Sequence, residues 1–162
     1  MTTIAVTGHM DLTEDSTPLV RTALDDLLKP YADGDLVGVS CIAKGADSLF
    51  AEAVLAAGGR LILVIPSQDY RQNKVKPDHA ALFDRLVEAF GEVLVLPRET
   101  ADRQAYEAAN AGLVQRADRL VAVWNGEPPT GKGGGTADTV LEAREAGIPV
   151  DVVWPDGAAR RG

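Results

Sequence analysis

The sequence predicts an α/β protein, a three-layer α/β/α sandwich on a mostly parallel, doubly wound sheet. Three observations predict it. Short apolar, β-rich runs recur along the whole 162-residue chain. Segments with apolar residues at helical spacing separate them. Glycines stand where those segments stop and the next apolar run begins.

The strands are expected over residues 3–7, 36–40, 61–65, 92–96, 120–124 and 150–154. Each is continuously apolar instead of alternating, as a parallel strand covered by helices on both faces must be. The first helix follows from Val20, Leu24, Leu27 and Leu28, with Asp15 or Ser16 as its cap and Pro18 in its first turn. Leu49, Phe50, Ala53 and Val54 share one face of the second, and Leu82, Phe83, Leu86 and Val87 one face of the third. Tyr106, Ala109 and Leu113 mark the fourth; Ala137, Val140 and Leu141 mark the fifth. Gly58 and Gly59, Gly91 and Gly147 end the second, third and fifth helices. Residues 1–156 read as one domain and 157–162 as a flexible tail.

Composition narrows the function. Hydrophobic residues make up 46% and charged residues 25%, which places the chain among folded globular proteins. A net charge of −8, with scattered basic residues, argues against nucleic acid as the main partner, because counterion release needs clustered Lys and Arg. One cysteine, Cys41, excludes an internal disulfide and a cysteine-based zinc cluster, and it reads as a core residue. No apolar run approaches bilayer length, so no membrane role is expected and the expected location is the cytoplasm. Clustered metal ligands are missing, and no metal is expected.

In a doubly wound sheet, ligands bind outside the carboxyl ends of the strands. That rule selects Gly8 and His9, the loop Lys44-Gly45-Ala46-Asp47, Asn125 and Gly126, and the run Lys132-Gly133-Gly134-Gly135-Thr136. Three consecutive glycines before a helix leave bare amides at the positive end of the peptide dipoles, a place for a phosphate or carboxylate. Gly45 serves either the same purpose or a tight turn, with Asp47 or Ser48 capping the helix. His9 is a candidate acid, base or phosphate partner, or a turn former. His79, beside Asp78, reads as a surface residue. Residues 126–133 match the spacing of a phosphate-binding P-loop, but Gly133 replaces the magnesium-binding hydroxyl and two prolines remove donors, so the match reads as chance. The dinucleotide fingerprint is absent after the first strand, where Gly8 stands alone.

The phrases VTGH-x-DL (6–12), AKGADSLFAEAVLAAGG (43–59), ADRLVAVWNG (117–126) and GKGGGTADTV-x-x-A (131–143), in that order, resemble the SLOG superfamily. This Rossmann-like group unites the DNA-processing protein A fold with the LOG enzymes once called lysine decarboxylases. The resemblance implies a nucleotide-binding crevice, with nucleotide set against Gly133, Gly134, Gly135 and Thr136, and with Lys44 to Asp47 and Gly8-His9 as the neighbouring elements. The bound nucleotide it implies is AMP-like or ADP-ribose-like, and related folds pair into homo-oligomers through helices. The chain departs from the LOG motif P-G-G-x-G-T-x-x-E: Thr139 stands where the catalytic Glu belongs, with Asp138 one residue earlier. Adjacent helix positions point about 100° apart, so Asp138 is no simple substitute.

The resulting expectation is a nucleotide-binding sensor or carrier. A nucleotide N-glycosidase is the rival; it requires a carboxylate, for which Asp47, Asp138 and Glu142 are the local candidates. An interaction module with a vestigial crevice is the third reading.

Overall fold

The computed structural model describes residues 2–32, 34–41, 43–88, 92–97, 99–100, 102–129 and 135–161. The elements are β1 (Thr2–Gly8), α1 (Ser16–Leu28), a 3-10 turn (Lys29–Tyr31), β2 (Leu36–Ser40), α2 (Ala46–Ala56) and β3 (Arg60–Ile65). There follow α3 (Tyr70–Asn73), α4 (Pro77–Glu88), β4 (Glu92–Val95), α5 (Arg103–Arg116), β5 (Arg119–Val123), α6 (Thr136–Glu145) and β6 (Val150–Val153). Every expected strand is present to within a residue at either end. The four-residue α3 was not foreseen, because a single turn is too short to show a helical period.

All strands join one six-stranded sheet in the order β4-β3-β2-β1-β5-β6, and every neighbouring pair is parallel. The chain builds outward from β1 to β4, then returns to place β5 on the other side of β1. Strand order therefore reverses between β1 and β5, and that reversal opens a crevice at their carboxyl ends.

Residues along β1 divide the core in two. Ile4 and Val6 join Val20, Leu24, Phe50, Val54 and Phe83 from α1, α2 and α4. Ala5 points to the opposite face and packs with Ala109, Leu113 and Ala143 from α5 and α6. Burying each large apolar side chain contributes about 1.5–3 kcal/mol, so these two layers hold the sheet in place.

Several details depart from expectation for identifiable reasons. Leu141 is 47% exposed, since the buried face of α6 consists of Ala137, Thr139, Val140 and Ala143. Val93 and Val95 are exposed on β4, which lies at the sheet edge and is not covered on both faces. The Asp15 side chain does not cap α1; the hydroxyls of Thr13 and Ser16 bond to each other at 2.6 Å instead. Ser48 does not cap α2 but donates to the Ala43 carbonyl at 2.7 Å. His79 is buried, with its Nε2 3.3 Å from Ser48 Oγ and its ring edge-on to Phe83. Gly58 and Gly147 do stop their helices in the left-handed region, at φ of 80° and 77°. Gly91 lies outside the described residues.

Residues 159–161 are tied to the loop after β1 and the start of α1. Thr13 N–H donates to the Ala159 carbonyl at 3.0 Å and Arg161 N–H to the Asp11 carbonyl at 2.7 Å. Ala159 N–H donates to Ser16 Oγ at 2.8 Å, and Leu12 and Arg160 form an antiparallel bridge. The segment read as a tail is a strap across the loop between β1 and α1. Among the described residues no helix is long and apolar enough to cross a membrane.

Candidate functional site

A cavity of about 620 Å³ fills the crevice at the carboxyl ends of β1, β2 and β5. Two helix starts approach it, those of α2 and α6, and they are built differently.

On the α2 side the glycines exist for packing. A Cβ on Gly8 would lie 2.4 Å from Ala46 Cβ and 2.9 Å from Val123 Cβ, so any side chain would push α2 off the sheet. Gly45 has φ of 85°, and a Cβ there would come within 2.7 Å of the His9 carbonyl and 2.9 Å of that of Met10. Ala46 N–H already donates to the His9 carbonyl at 3.2 Å. Of this loop's expected ligand residues, Gly8 and Asp47 line the cavity, whereas Gly45 and Ala46 do not. Lys44 turns away to pair with Asp78 at the start of α4.

Asp47 shares its end of the cavity with Cys41 and Tyr70. Burial pushes its carboxyl up to about 7, against a hydrogen bond from the Ala43 backbone that favours the charged form. Part of the side chain faces the cavity, so water entering there eases that penalty. Burial likewise drives the Cys41 thiol well above its usual range, with Asp47 adding to it, which leaves a neutral sulfur rather than a nucleophile. The Tyr70 phenol is pushed up by burial, then by Cys41 and Asp47.

On the α6 side, Trp124, Glu127, Pro128 and Pro129 form a wall leading to Gly135, Thr136, Ala137 and Asp138. Asn125 and Gly126 do not line the cavity. Lys132, Gly133 and Gly134 lie outside the described residues. Gly135 is in an extended conformation, at φ −87° and ψ 177°, and among the described residues a Cβ there would meet Asp138 Oδ2 alone, at 3.5 Å. Its N–H donates to that same carboxylate at 3.1 Å. One amide expected to receive a ligand oxygen therefore has an internal partner, because a helix start attracts a carboxylate and α6 supplies its own.

His9 sits between the two sides. Its backbone N–H donates to the Val123 carbonyl at 3.1 Å, and its ring lies edge-on to Trp154 at 5.6 Å. Nε2 is 3.2 Å from both the backbone nitrogen and the Oδ1 of Asn125. Burial lowers its pKa, followed by Arg160, against Asn125, Asp11 and Glu127.

Several wall residues went unforeseen. Tyr70 and Lys74 come from and just after α3, and Tyr106, Ala109, Asn110 and Leu113 from α5. Arg160 comes from the strap, where it donates to Asp11 at 2.8 Å and lies 3.7 Å from Glu127. Burial pushes the Asp11 carboxyl up, but the Arg160 hydrogen bond and charge outweigh it and hold the group below its ordinary value. Tyr106, Ala109 and Leu113 are legible as a helix face, but nothing local to positions 74 or 160 says that they converge. Among the described residues no group of three or more His, Cys, Asp or Glu is placed to hold a metal ion.

Neither a family model nor a curated protein sequence matches the chain. Solved structures do. DNA processing protein A from Streptococcus pneumoniae superposes with a TM-score of 0.70 at 21% identity, over 97% of this chain and 52% of that one. The chain thus spans about half the length of that protein. The Helicobacter pylori DNA processing protein A, whose structure concerns single-stranded DNA binding, gives 0.68 at 17% identity over 98% and 68%. The molybdenum cofactor carrier protein of Chlamydomonas reinhardtii gives 0.57 at 20% identity over 93% and 75%. The chain shares the Rossmann-like α/β fold of these proteins. At these identities the likeness speaks for the fold alone.

Proposed function

We propose that the protein binds a nucleotide or nucleotide-derived ligand in the cavity between β1 and β5, acting as a sensor or carrier. The observation that carries this reading is the cavity's position at the strand-order reversal, where doubly wound sheets take their ligands. Its volume of about 620 Å³ suits a mononucleotide-sized ligand. Tyr106, Leu113 and Trp124 offer apolar and aromatic surface to a base. Lys74, Arg160 and the first turn of α6 offer charge and donors to a phosphate, with Lys132, Gly133 and Gly134 as further contributors. Asp47 faces the interior, where it accepts from a ribose hydroxyl. A protein of this fold named for carrying the molybdenum cofactor supports a carrier role for a small ligand.

Calorimetric titration with AMP and ADP-ribose tests the reading, together with mass spectrometry of ligand released by heating the purified protein. Dissociation constants below millimolar, raised by Arg160→Ala, are expected. If neither nucleotide binds and nothing co-purifies, the proposal fails. Single-stranded DNA belongs in the same titration, because a protein of this fold is described by its binding of it. The net charge of −8 and the carboxylates of Asp11, Glu127 and Asp138 on the wall oppose it. Oligonucleotide binding that weakens steeply with salt would replace the nucleotide reading.

A nucleotide N-glycosidase is the second reading, favoured by Asp47. A carboxyl that titrates at about 7 inside a cavity is poised to exchange protons near neutral pH. Release of free adenine from AMP, abolished by Asp47→Asn, would establish it.

A further inference from the structure

We propose that His9 is a positioning residue that exchanges hydrogen-bond partners on protonation, and that this exchange holds or releases the segment from Asn125 that leads into the cavity wall at Glu127, Pro128 and Pro129. Asn125 presents two groups to the same ring nitrogen, its backbone N–H and its Oδ1, each 3.2 Å from Nε2. The backbone N–H can only donate, so in the neutral ring Nε2 keeps its lone pair and accepts. Asn125 Oδ1 is then occupied from the other side by Glu127 N–H at 3.1 Å. A protonated ring has no lone pair at Nε2. Its N–H turns to a lone pair of Oδ1, which then accepts from Glu127 N–H as well, and the Asn125 amide is left without its acceptor.

The wall hangs on these contacts. Trp124 Nε1 donates to the Glu127 carbonyl at 3.0 Å, and the Glu127 carboxylate lies 3.7 Å from Arg160 of the strap. The hinge of the exchange is rigid, because His9 is 7% exposed and its own backbone is tied to Val123 and Ala46. Charges face the ring from two sides. Arg160 opposes protonation, while Asp11 and Glu127 favour it; Trp154 after β6 and Ala46 of α2 bring no charge. Burial is the largest influence and lowers the pKa, so the exchange falls below the ordinary histidine range near 6.5.

The test requires no ligand, so its outcome is independent of whether nucleotide binds. Backbone amide and histidine ring resonances are followed by NMR from pH 8 to 5. The Asn125 and Glu127 amides are expected to shift with the midpoint of the His9 ring. The protection factor of Asn125 should drop about fivefold across that midpoint, the worth of one ordinary hydrogen bond. In His9→Gln, whose side-chain oxygen accepts without titrating, the amide transition should vanish. If that variant does not fold, Asn125→Ala serves instead: it removes the acceptor for the protonated ring, and the His9 midpoint should move lower still. A His9 ring that titrates without moving the two amides overturns the proposal. So does a ring that stays neutral throughout, or an amide transition that persists in His9→Gln.

Discussion

The two helix starts at the cavity look alike in sequence and differ in construction. Before α2 the glycines are steric necessities, because Gly8 and Gly45 leave less than 3 Å for an added Cβ. The first amide of the helix is spent on the His9 carbonyl. Before α6 no described residue crowds Gly135, whose backbone any residue adopts, and the start of the helix lies on the cavity wall. Glycine before a helix thus has two separate uses: close approach of chain to chain, and room for something that is not chain. Distance to neighbours tells them apart.

The sharpest break in that contrast is Gly45→Ala. A positive φ together with a collision against two carbonyls is expected to cost about 4 kcal/mol in urea denaturation, enough to unfold a marginal domain. An effect under about 1 kcal/mol would mean that α2 approaches the sheet less closely than described.

Next in size is the acid at the α2 side. The folded pKa of Asp47 is raised to about 7, so its neutral form favours folding at low pH. That stability is fully present below the ordinary carboxylate pKa and fades as pH rises toward about 7. Asp47→Asn should therefore flatten the profile, and at pH 8 the variant should exceed the wild type by about 2–3 kcal/mol, allowing for water in the cavity. A profile unchanged by the substitution would show that another group titrates. His9 works in the opposite direction: its lowered pKa withdraws stability as pH falls below the ordinary histidine range.

On the α6 side the effects are smaller and fall on binding. Asp138→Ala removes the carboxylate from Gly135 N–H and should cost about 1 kcal/mol of stability. The same change should tighten AMP binding about threefold at low salt, by removing a charge that competes for the helix start. Looser binding would place the phosphate elsewhere, against Lys74 or Arg160. Gly135→Ala should alter stability by no more than about 0.5 kcal/mol, since the site is open and extended. Set beside Gly45→Ala, this near-silence is what separates the two helix starts.

Local signals in the chain set the strands, the longer helices and their order, though not the single turn of α3. Strands covered on both faces are continuously apolar, helices repeat every 3.6 residues, and glycine at positive φ stops a helix; all three signals are local. The sequence also picked out the strand ends that border the cavity, and within them Gly8, His9, Asp47, Gly135 and Thr136. Which way the side chains face was settled by packing between distant segments. Lys44 stands one residue from Gly45 yet turns to Asp78, and His79 is buried against Ser48 and Phe83 despite its charged neighbour. Arg160 reaches the cavity because the strap pairs with Leu12, some 150 positions earlier in the chain. Such convergence depends on the packing of distant segments around a shared sheet, and a period of two or 3.6 residues carries no record of it.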